Sequence, residues 1–314
     1  MIWLRILCIV NIGWGIMILP AAAQDKIQVV TKTIQRQIPW KVAQKIVFNA
    51  EKATIDLQGW NRNEVGITLK LVAKHPNRSV AEQDLSTLRY AIDVKDQQIE
   101  FRNFFRITEG RTKVRSNLLA IYEVRIPQNS QISINNRYGN IFLNDWQGTA
   151  KVTASFGEVQ VNNVQGNLRM DVNYGDILMT QINADVSVDT KKTNITGSGL
   201  AGTLVSNSSY GEIDISTQNQ LTKTAIDASR TKVSFAATDP IAYYYILEAS
   251  AGSIQTALPG KRSEGSIILG KDTFESYEHQ ANQPTVFIKT SYNTININKL
   301  EKNAKKTARS SYRP

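Results

Sequence analysis

Arg137-Tyr138-Gly139-Asn140-Ile141, Ser155-Phe156-Gly157-Glu158-Val159, Asn173-Tyr174-Gly175-Asp176-Ile177, Lys191-Lys192-Thr193-Asn194-Ile195 and Ser209-Tyr210-Gly211-Glu212-Ile213 follow one another eighteen residues apart, with no insertion between them. A short fixed period marks one structural unit per repeat, and each unit buries its apolar side only by stacking on its neighbours. Counted from Arg137, position five reads Ile141, Val159, Ile177, Ile195, Ile213, and position seven reads Leu143, Val161, Met179, Gly197, Ile215. Position ten reads Trp146, Val164, Ile182, Leu200, Gln218. Position fourteen reads Ala150, Leu168, Val186, Leu204, Thr222, and position sixteen reads Val152, Met170, Val188, Ser206, Thr224. The positions between them are mostly polar. Alternation at five/seven and fourteen/sixteen has period two, the signature of strands with one buried face.

Glycine recurs at position three (all but the fourth repeat) and at position twelve, as Gly148, Gly166 and Gly202 with Ala184 in the remaining place. Such glycines mark corners that need positive φ or close backbone approach. Short strands joined by tight corners predict an all-β chain built as a β-solenoid of eighteen-residue coils, stacked about 4.8 Å apart. An antiparallel sandwich is the competing architecture, but hairpin loops drift in length and would break the period. The Lys192-Thr193 pair, in place of aromatic-glycine, predicts a different turn in the fourth repeat.

Residues 24–130 are β-rich and irregular. Strands are expected around Ile46-Val47-Phe48, residues 53–57, 65–72, 98–105 and 118–126. One short helix is expected after Pro76, with Ser79 and Glu82 as a capping box and an apolar face reaching Tyr90. After Thr224 the spacing loosens. Residues 228–235, 249–254 and 290–297 still fit successive coils, with 238–245 and 261–283 as corner loops. The expected division is a leader at 1–23, a capping or first-coil region at 24–130, repeats at 131–298 and a tail at 299–314.

The leader has Arg5 followed by an apolar stretch over residues 6–19, Pro20, and Ala21-Ala22-Ala23. This is the pattern of a cleaved export signal, and the stretch is shorter than the roughly 20 residues of a spanning helix. Cys8, the only cysteine, lies within it. The mature chain would then hold neither disulfide nor thiol chemistry. No later segment reaches transmembrane length, so an exported product in the periplasm or at the cell surface is expected. Net charge is +10. Part of the excess lies in the tail, where Lys299, Lys302, Lys305, Lys306, Arg309 and Arg313 face a lone Glu301. A solvated tail is the preferred reading, and weak attraction to anionic envelope polymers the alternative. The scattered basic residues do not make a nucleic-acid footprint.

The run Ala53-Thr54-Ile55-Asp56-Leu57-Gln58-Gly59-Trp60-Asn61-Arg62-Asn63-Glu64-Val65, together with Val124-Arg125-Ile126-Pro127 and the aromatic-Gly-acid-Ile repeats, resembles a family of exported bacterial proteins. They are adhesin-like proteins of unknown function, common in the Bacteroidetes, that share a β-strand-repeat domain. The resemblance covers roughly residues 46–297 and implies a β-solenoid at the cell envelope with an adhesive role. It brings no catalytic residues.

Tyr138, Phe156, Tyr174 and Tyr210 stand in one column. Aromatic rings can form a platform for sugars or a partner protein, or can simply stabilise stacked strands. Asp171 and Asp189 fall in adjacent coils at position seventeen, close enough to share a weakly held cation. The acids of position four (Glu158, Asp176, Glu212) alternate with Asn140 and Asn194 and read as ordinary corner residues. His75 and His279 lie far apart beside loop residues, so neither a zinc site nor a hydrolytic triad is indicated. No phosphate-loop motif is present. No cofactor is expected. The function expected is a non-enzymatic adhesin or structural envelope protein, whose partner is an envelope or host polysaccharide or protein. The alternatives are a glycan-binding module and a polysaccharide-active enzyme.

Overall fold

The computed structural model describes residues 26–106, 113–218, 220–263 and 270–300; the leader and the tail from residue 301 lie outside the described residues. Among the described residues the fold is all-β with one short α-helix, and seventeen strands form one mixed sheet. Before the repeats come β1 (Gln28–Pro39), β2 (Lys45–Glu51), β3 (Ala53–Trp60), β4 (Glu64–His75), the helix α1 (Arg78–Leu85), β5 (Leu88–Val94), β6 (Gln98–Phe105), β7 (Asn117–Pro127) and β8 (Gln131–Arg137). The repeats are carried by β9 (Ile141–Ser155), β10 (Glu158–Thr217) and β11 (Gln220–Ala237). Then follow β12 (Tyr244–Ser250), β13 (Ser253–Gln255), β14 (Gly260–Ser263), β15 (Lys271–Ser276), β16 (Thr285–Ser291) and β17 (Thr294–Lys299).

The eighteen-residue period is the pairing register. Ile141 lies beside Val159, Val152 beside Met170 and Ser155 beside Asn173, all in parallel, and Gln131 of β8 lies beside Thr149. The sixty-residue span of β10 is not one straight strand. Left-handed residues at Asn163, Tyr174, Gln181, Lys192 and Tyr210, with φ between 51° and 59°, turn the chain at regular intervals. Between corners the inward positions are apolar and buried. At position five, Ile141, Val159, Ile177, Ile195 and Ile213 are at most 1% exposed. Burying each such side chain contributes about 1.5–3 kcal/mol, so the stacked apolar columns are the main stabilising term of the repeats.

The recurrent glycines serve two different needs. At position twelve, Gly148, Gly166 and Gly202 take φ of 138°, 105° and 89°, where other residues are strained. At position three the reason is contact: a Cβ on Gly175 would lie 1.9 Å from the carbonyl oxygen of Gly157, and one on Gly157 would lie 2.1 Å from that of Gly139. The left-handed residue is instead its neighbour at position two. The fourth repeat does not turn differently, because Lys192 adopts the same conformation with φ 53°. Thr193, in the glycine place, is buried, and its hydroxyl donates to the carbonyl of Val172 at 3.0 Å.

The register changes at Gly202/Thr203. Beyond it Leu204 pairs with Thr224 and Ser206 with Ile226, an offset of twenty. Thr224 and Ile226 therefore point inward, whereas Thr222 and Gln218, expected inside, are exposed. A slip of two preserves the strand's period, so the faces are kept.

The stacking order departs from the chain order at both ends. On the N-terminal side β2 pairs in parallel with both β8 and β6, and β3 with both β9 and β7. The segment of β2 and β3 is thus inserted between the repeats and a later segment. Beyond it β5 pairs antiparallel with β6, β4 with β7, and β1 with β4. On the C-terminal side β16 and β17 pair with β11, and β12 and β13 lie outside them. The last segment is therefore inserted before the one preceding it in sequence. Residues 261–283, expected as a corner loop, include strand residues of β14 and all of β15, which run antiparallel outward from β12.

The helix is capped by Asn77, whose side-chain oxygen accepts from the Val80 N–H at 3.2 Å, so Ser79 lies inside it. It ends at Leu85, and residues 88–94, expected in part as helix, form β5. Asp84 is buried and accepts from the backbone N–H groups of Arg115 and Ser116 at 3.0 and 2.8 Å, which ties the helix to the start of β7.

Gly175→Ala should lower stability by about 1–3 kcal/mol, since the added methyl meets backbone that cannot rotate away. The check is the shift in urea midpoint relative to wild type; an unchanged midpoint would show that the corners do not approach so closely.

Candidate functional site

The corner at position two recurs along the whole stack. Lys52, Tyr138, Phe156, Tyr174, Lys192, Tyr210, Arg230, Tyr292 and Ala251 are all left-handed, with φ between 49° and 64°. The strand registers line them up: Lys52 N–H donates to Arg137 O at 2.7 Å beside Tyr138, Arg230 lies beside Tyr210, and Ser250 and Ser291 pair just before Ala251 and Tyr292. Left-handed conformation costs a bulky residue roughly 1–2 kcal/mol. The side chains offset it by stacking on one another. The rings of Tyr138 and Phe156 are 5.1 Å apart and 16° from parallel; those of Phe156 and Tyr174 are 4.9 Å apart and 8° from parallel. Lys192 then lies over Tyr174 at 5.5 Å, and Arg230 over both Tyr210 at 5.3 Å and Tyr292 at 5.4 Å. The Arg230 guanidinium also donates to the Tyr210 hydroxyl.

Tyr138, Phe156, Tyr174 and Tyr210 thus share one ridge, as the repeats predict. Lys192, Arg230 and Tyr292 belong to the same ridge and were not legible from the aromatic pattern. Lys192 reads as a departure, and Tyr292 lies sixty-two positions after Arg230. Tyr138, Phe156, Tyr174 and Tyr210 are 38–45% exposed, and Tyr292 is 64% exposed. Both faces of Phe156 are taken by its neighbours, so this ridge presents ring edges and hydroxyls to solvent rather than open faces.

The acidic columns form axial ladders with amides. Asn207 donates to Asp189 at 2.9 Å, and Asp171 accepts from Asn173 at 2.9 Å. Arg169 lies 3.6 Å from Asp189 in an exposed pair. Asp171 and Asp189 share an open hollow with Asn207 and Asp227, but each carboxylate already has an amide donor. At position four Asn194 donates to Asp176 at 3.0 Å and accepts from the Glu212 N–H at 3.1 Å, and Glu158 N–H donates to Asn140 at 3.0 Å. At position nine Asp145 accepts from Gln58 at 2.7 Å and Asn163 at 2.6 Å; these amides hold its carboxyl below the ordinary range. Among the described residues, no group of three or more His, Cys, Asp or Glu side chains converges as a metal site. His75 accepts from the Asn77 N–H at 3.0 Å, and His279 packs edge-on against Tyr244, so the two histidines remain apart.

A larger feature lies outside the repeats. The outward faces of β1, β4, β7 and β3 form an open groove of about 770 Å³. One row across it is Gln35, Thr68, Glu123 and Asp56; the next is Gln37, Gly66, Arg125 and Gln58. Trp60 closes one end, its indole N–H donating to Glu64 O at 2.8 Å. A Cβ on Gly66 would come within 3.1 Å of the indole edge, so glycine makes room for the ring. Arg62 and Arg125 lie over the ring at 5.0 and 5.8 Å. Burial and the neighbouring Glu123 carboxylate push the Asp56 carboxyl up, against the weak hydrogen bond from Asn144. Asp56, Trp60 and Arg125 are legible in the sequence as residues, but their meeting depends on strands 60 and more residues apart.

No family model matches the chain, and no curated protein matches it. Among solved structures it is similar to a candidate adhesin from Bacteroides fragilis at 12% identity, covering 85% of this chain and 97% of that one, with a TM-score of 0.40. A candidate lipid-binding protein from Parabacteroides distasonis is similar at 12% identity, covering 86% and 97%, with a TM-score of 0.39. A candidate cell adhesion protein from Clostridium sporogenes is similar at 11% identity, covering 86% and 100%, with a TM-score of 0.26.

Phe156→Ala should cost about 1–3 kcal/mol, the worth of two stacked aromatic pairs. Lys192→Tyr, which continues the stack at a corner already left-handed, should raise stability; thermal melts of the two variants test the ridge from opposite directions. The depressed Asp145 carboxyl contributes stability that is present above its unfolded value and lost as pH falls through the folded one. Asp145→Asn should therefore be less stable than wild type at pH 6, with the gap narrowing in urea melts at pH 3.

Proposed function

We propose that this chain is an exported, non-enzymatic β-solenoid that serves at the cell envelope as a rigid display surface, with an adhesive role. In this reading each eighteen-residue repeat is one coil, the leader is removed on export, and the mature rod is held to the envelope or displayed from it. The observation that supports it is the use of the side chains along the stack. Polar columns bond to their own counterparts one repeat on (Asp189 with Asn207, Asp176 with Asn194, Asp145 with Asn163, Asp185 with Thr203), and the aromatic column stacks on itself. Such a surface invests its functional groups in stiffness along one axis. Rigidity and length are what a display rod needs, whereas acid-base catalysis needs carboxylates left free to move a proton. None of the described helices is long and apolar enough to cross a membrane.

The experiment is protease accessibility of the native protein on intact and on lysed cells. Digestion on intact cells is the expected outcome for a surface adhesin. Protection until lysis would overturn the adhesive role and leave a scaffold within the envelope.

A further inference from the structure

The groove over β1, β4, β7 and β3 differs from the repeat surface in one respect. Along the repeats, the amides and carboxylates named above are bonded to one another. In the groove, the Arg125 guanidinium has only the Trp60 ring beside it, and Gln37 makes no side-chain hydrogen bond. Glu123 is paired with Lys70 at 2.5 Å, and among the described residues the side-chain hydrogen bond to Asp56 is the 3.5 Å contact from Asn144. Hydrogen-bonding groups of both kinds, planar and on fixed strands, are left available beside an indole whose own N–H is already tied down. We infer that this groove is a binding site for a neutral saccharide chain, with Gln37, Arg125, Asp56 and Glu123 bonding its hydroxyls and Trp60 lying against a sugar ring.

Chemistry excludes the other occupants. A peptide strand would add to the outer edge of β1, which pairs only with β4 among the described strands, and not to the floor, where β4 lies between β1 and β7, and β7 between β4 and β3. An acyl chain would need an apolar floor, and the side chains on this face are glutamine, threonine, aspartate, glutamate and arginine. A polyanion would need an excess of positive charge, whereas Arg36 and Arg125 are matched by Asp56 and Glu123 among the lining residues. A polyhydroxylated neutral ligand fits what remains: hydroxyl groups both donate and accept, as this mixed lining requires, and the apolar face of a sugar ring suits an indole. The groove volume lies within the range of small-ligand sites, large enough for a short run of sugars. The partly desolvated Asp56 is in keeping with a floor that is already half withdrawn from water.

The site goes beyond the display role and does not depend on it, since it is read on purified protein rather than on cells. The test is affinity electrophoresis of the purified protein through gels containing dextran, mannan, xylan or laminarin, with dextran sulfate as the charged control. The expected result is retardation by at least one neutral polymer. It should weaken about tenfold or more in Arg125→Ala, as loss of a charged hydrogen-bond donor implies, and weaken also in Gln37→Ala. Tyr174→Ala, on the repeat ridge, should bind like wild type. Both groove variants are surface changes, and their urea midpoints confirm that they fold. Retardation by none of the neutral polymers, by dextran sulfate alone, or equally in wild type and both groove variants would overturn the inference.

Discussion

Each corner of the stack must pass within contact distance of the corner before it, and the rest of the structure depends on that approach. The parallel main-chain ladder can stay in register only if the turns superpose. At position three that leaves no room for a side chain pointing along the axis, and glycine meets the demand in four of five repeats. At position two it places a left-handed residue in every repeat, at a cost that local interactions must offset. The aromatic and cationic side chains of the ridge supply that offset. The ridge is therefore best understood as what makes the corners affordable, and its exposure follows from its place on the outside of a turn.

The two chain ends solve a second problem by the same device. A stack of parallel strands ends in unpaired N–H and C=O groups, which invite association with other chains. On each side a segment from the chain terminus is slotted between the repeats and a neighbouring segment, and antiparallel strands then close the outside. The inserted strands, β2 and β3 on one side and β16 and β17 on the other, are held by main-chain hydrogen bonds on both edges. The antiparallel layer on the N-terminal side has a further consequence. Its strands β1, β4 and β7, with β3 parallel beside β7, turn their polar faces outward, and these faces line the groove. The groove is a by-product of capping that carries groups left unpaired, which is why it is the best place for a ligand.

The period, the corner positions and the buried columns of the first four repeats were readable in the sequence, because a strand's side chains alternate and a stacked repeat must return to the same place. Lys192-Thr193 shows the limit of that reading. The pair breaks the aromatic-glycine pattern yet keeps the turn, since neighbours on both sides impose the conformation and Thr193 turns its side chain inward. The helix was expected in the right part of the chain but capped two residues late, at Ser79 in place of Asn77, and carried too far, since residues 88–94 form β5; Asn77 and Ser79 are both good caps, and spacing alone does not choose between them.

By itself the sequence determined that the chain is all-β, that it repeats every eighteen residues, and which side chains of the first four repeats face inward. These are local properties, carried by spacing alone. The tertiary structure decided the order in which the end segments stack, the change of register at Gly202/Thr203, the inclusion of Arg230 and Tyr292 in the ridge, and the meeting of Trp60, Asp56 and Arg125. Those depend on pairings between residues dozens of positions apart. No local pattern encodes such pairings, because any two strands with the right alternation can lie side by side, and only the closing of both ends selects one arrangement.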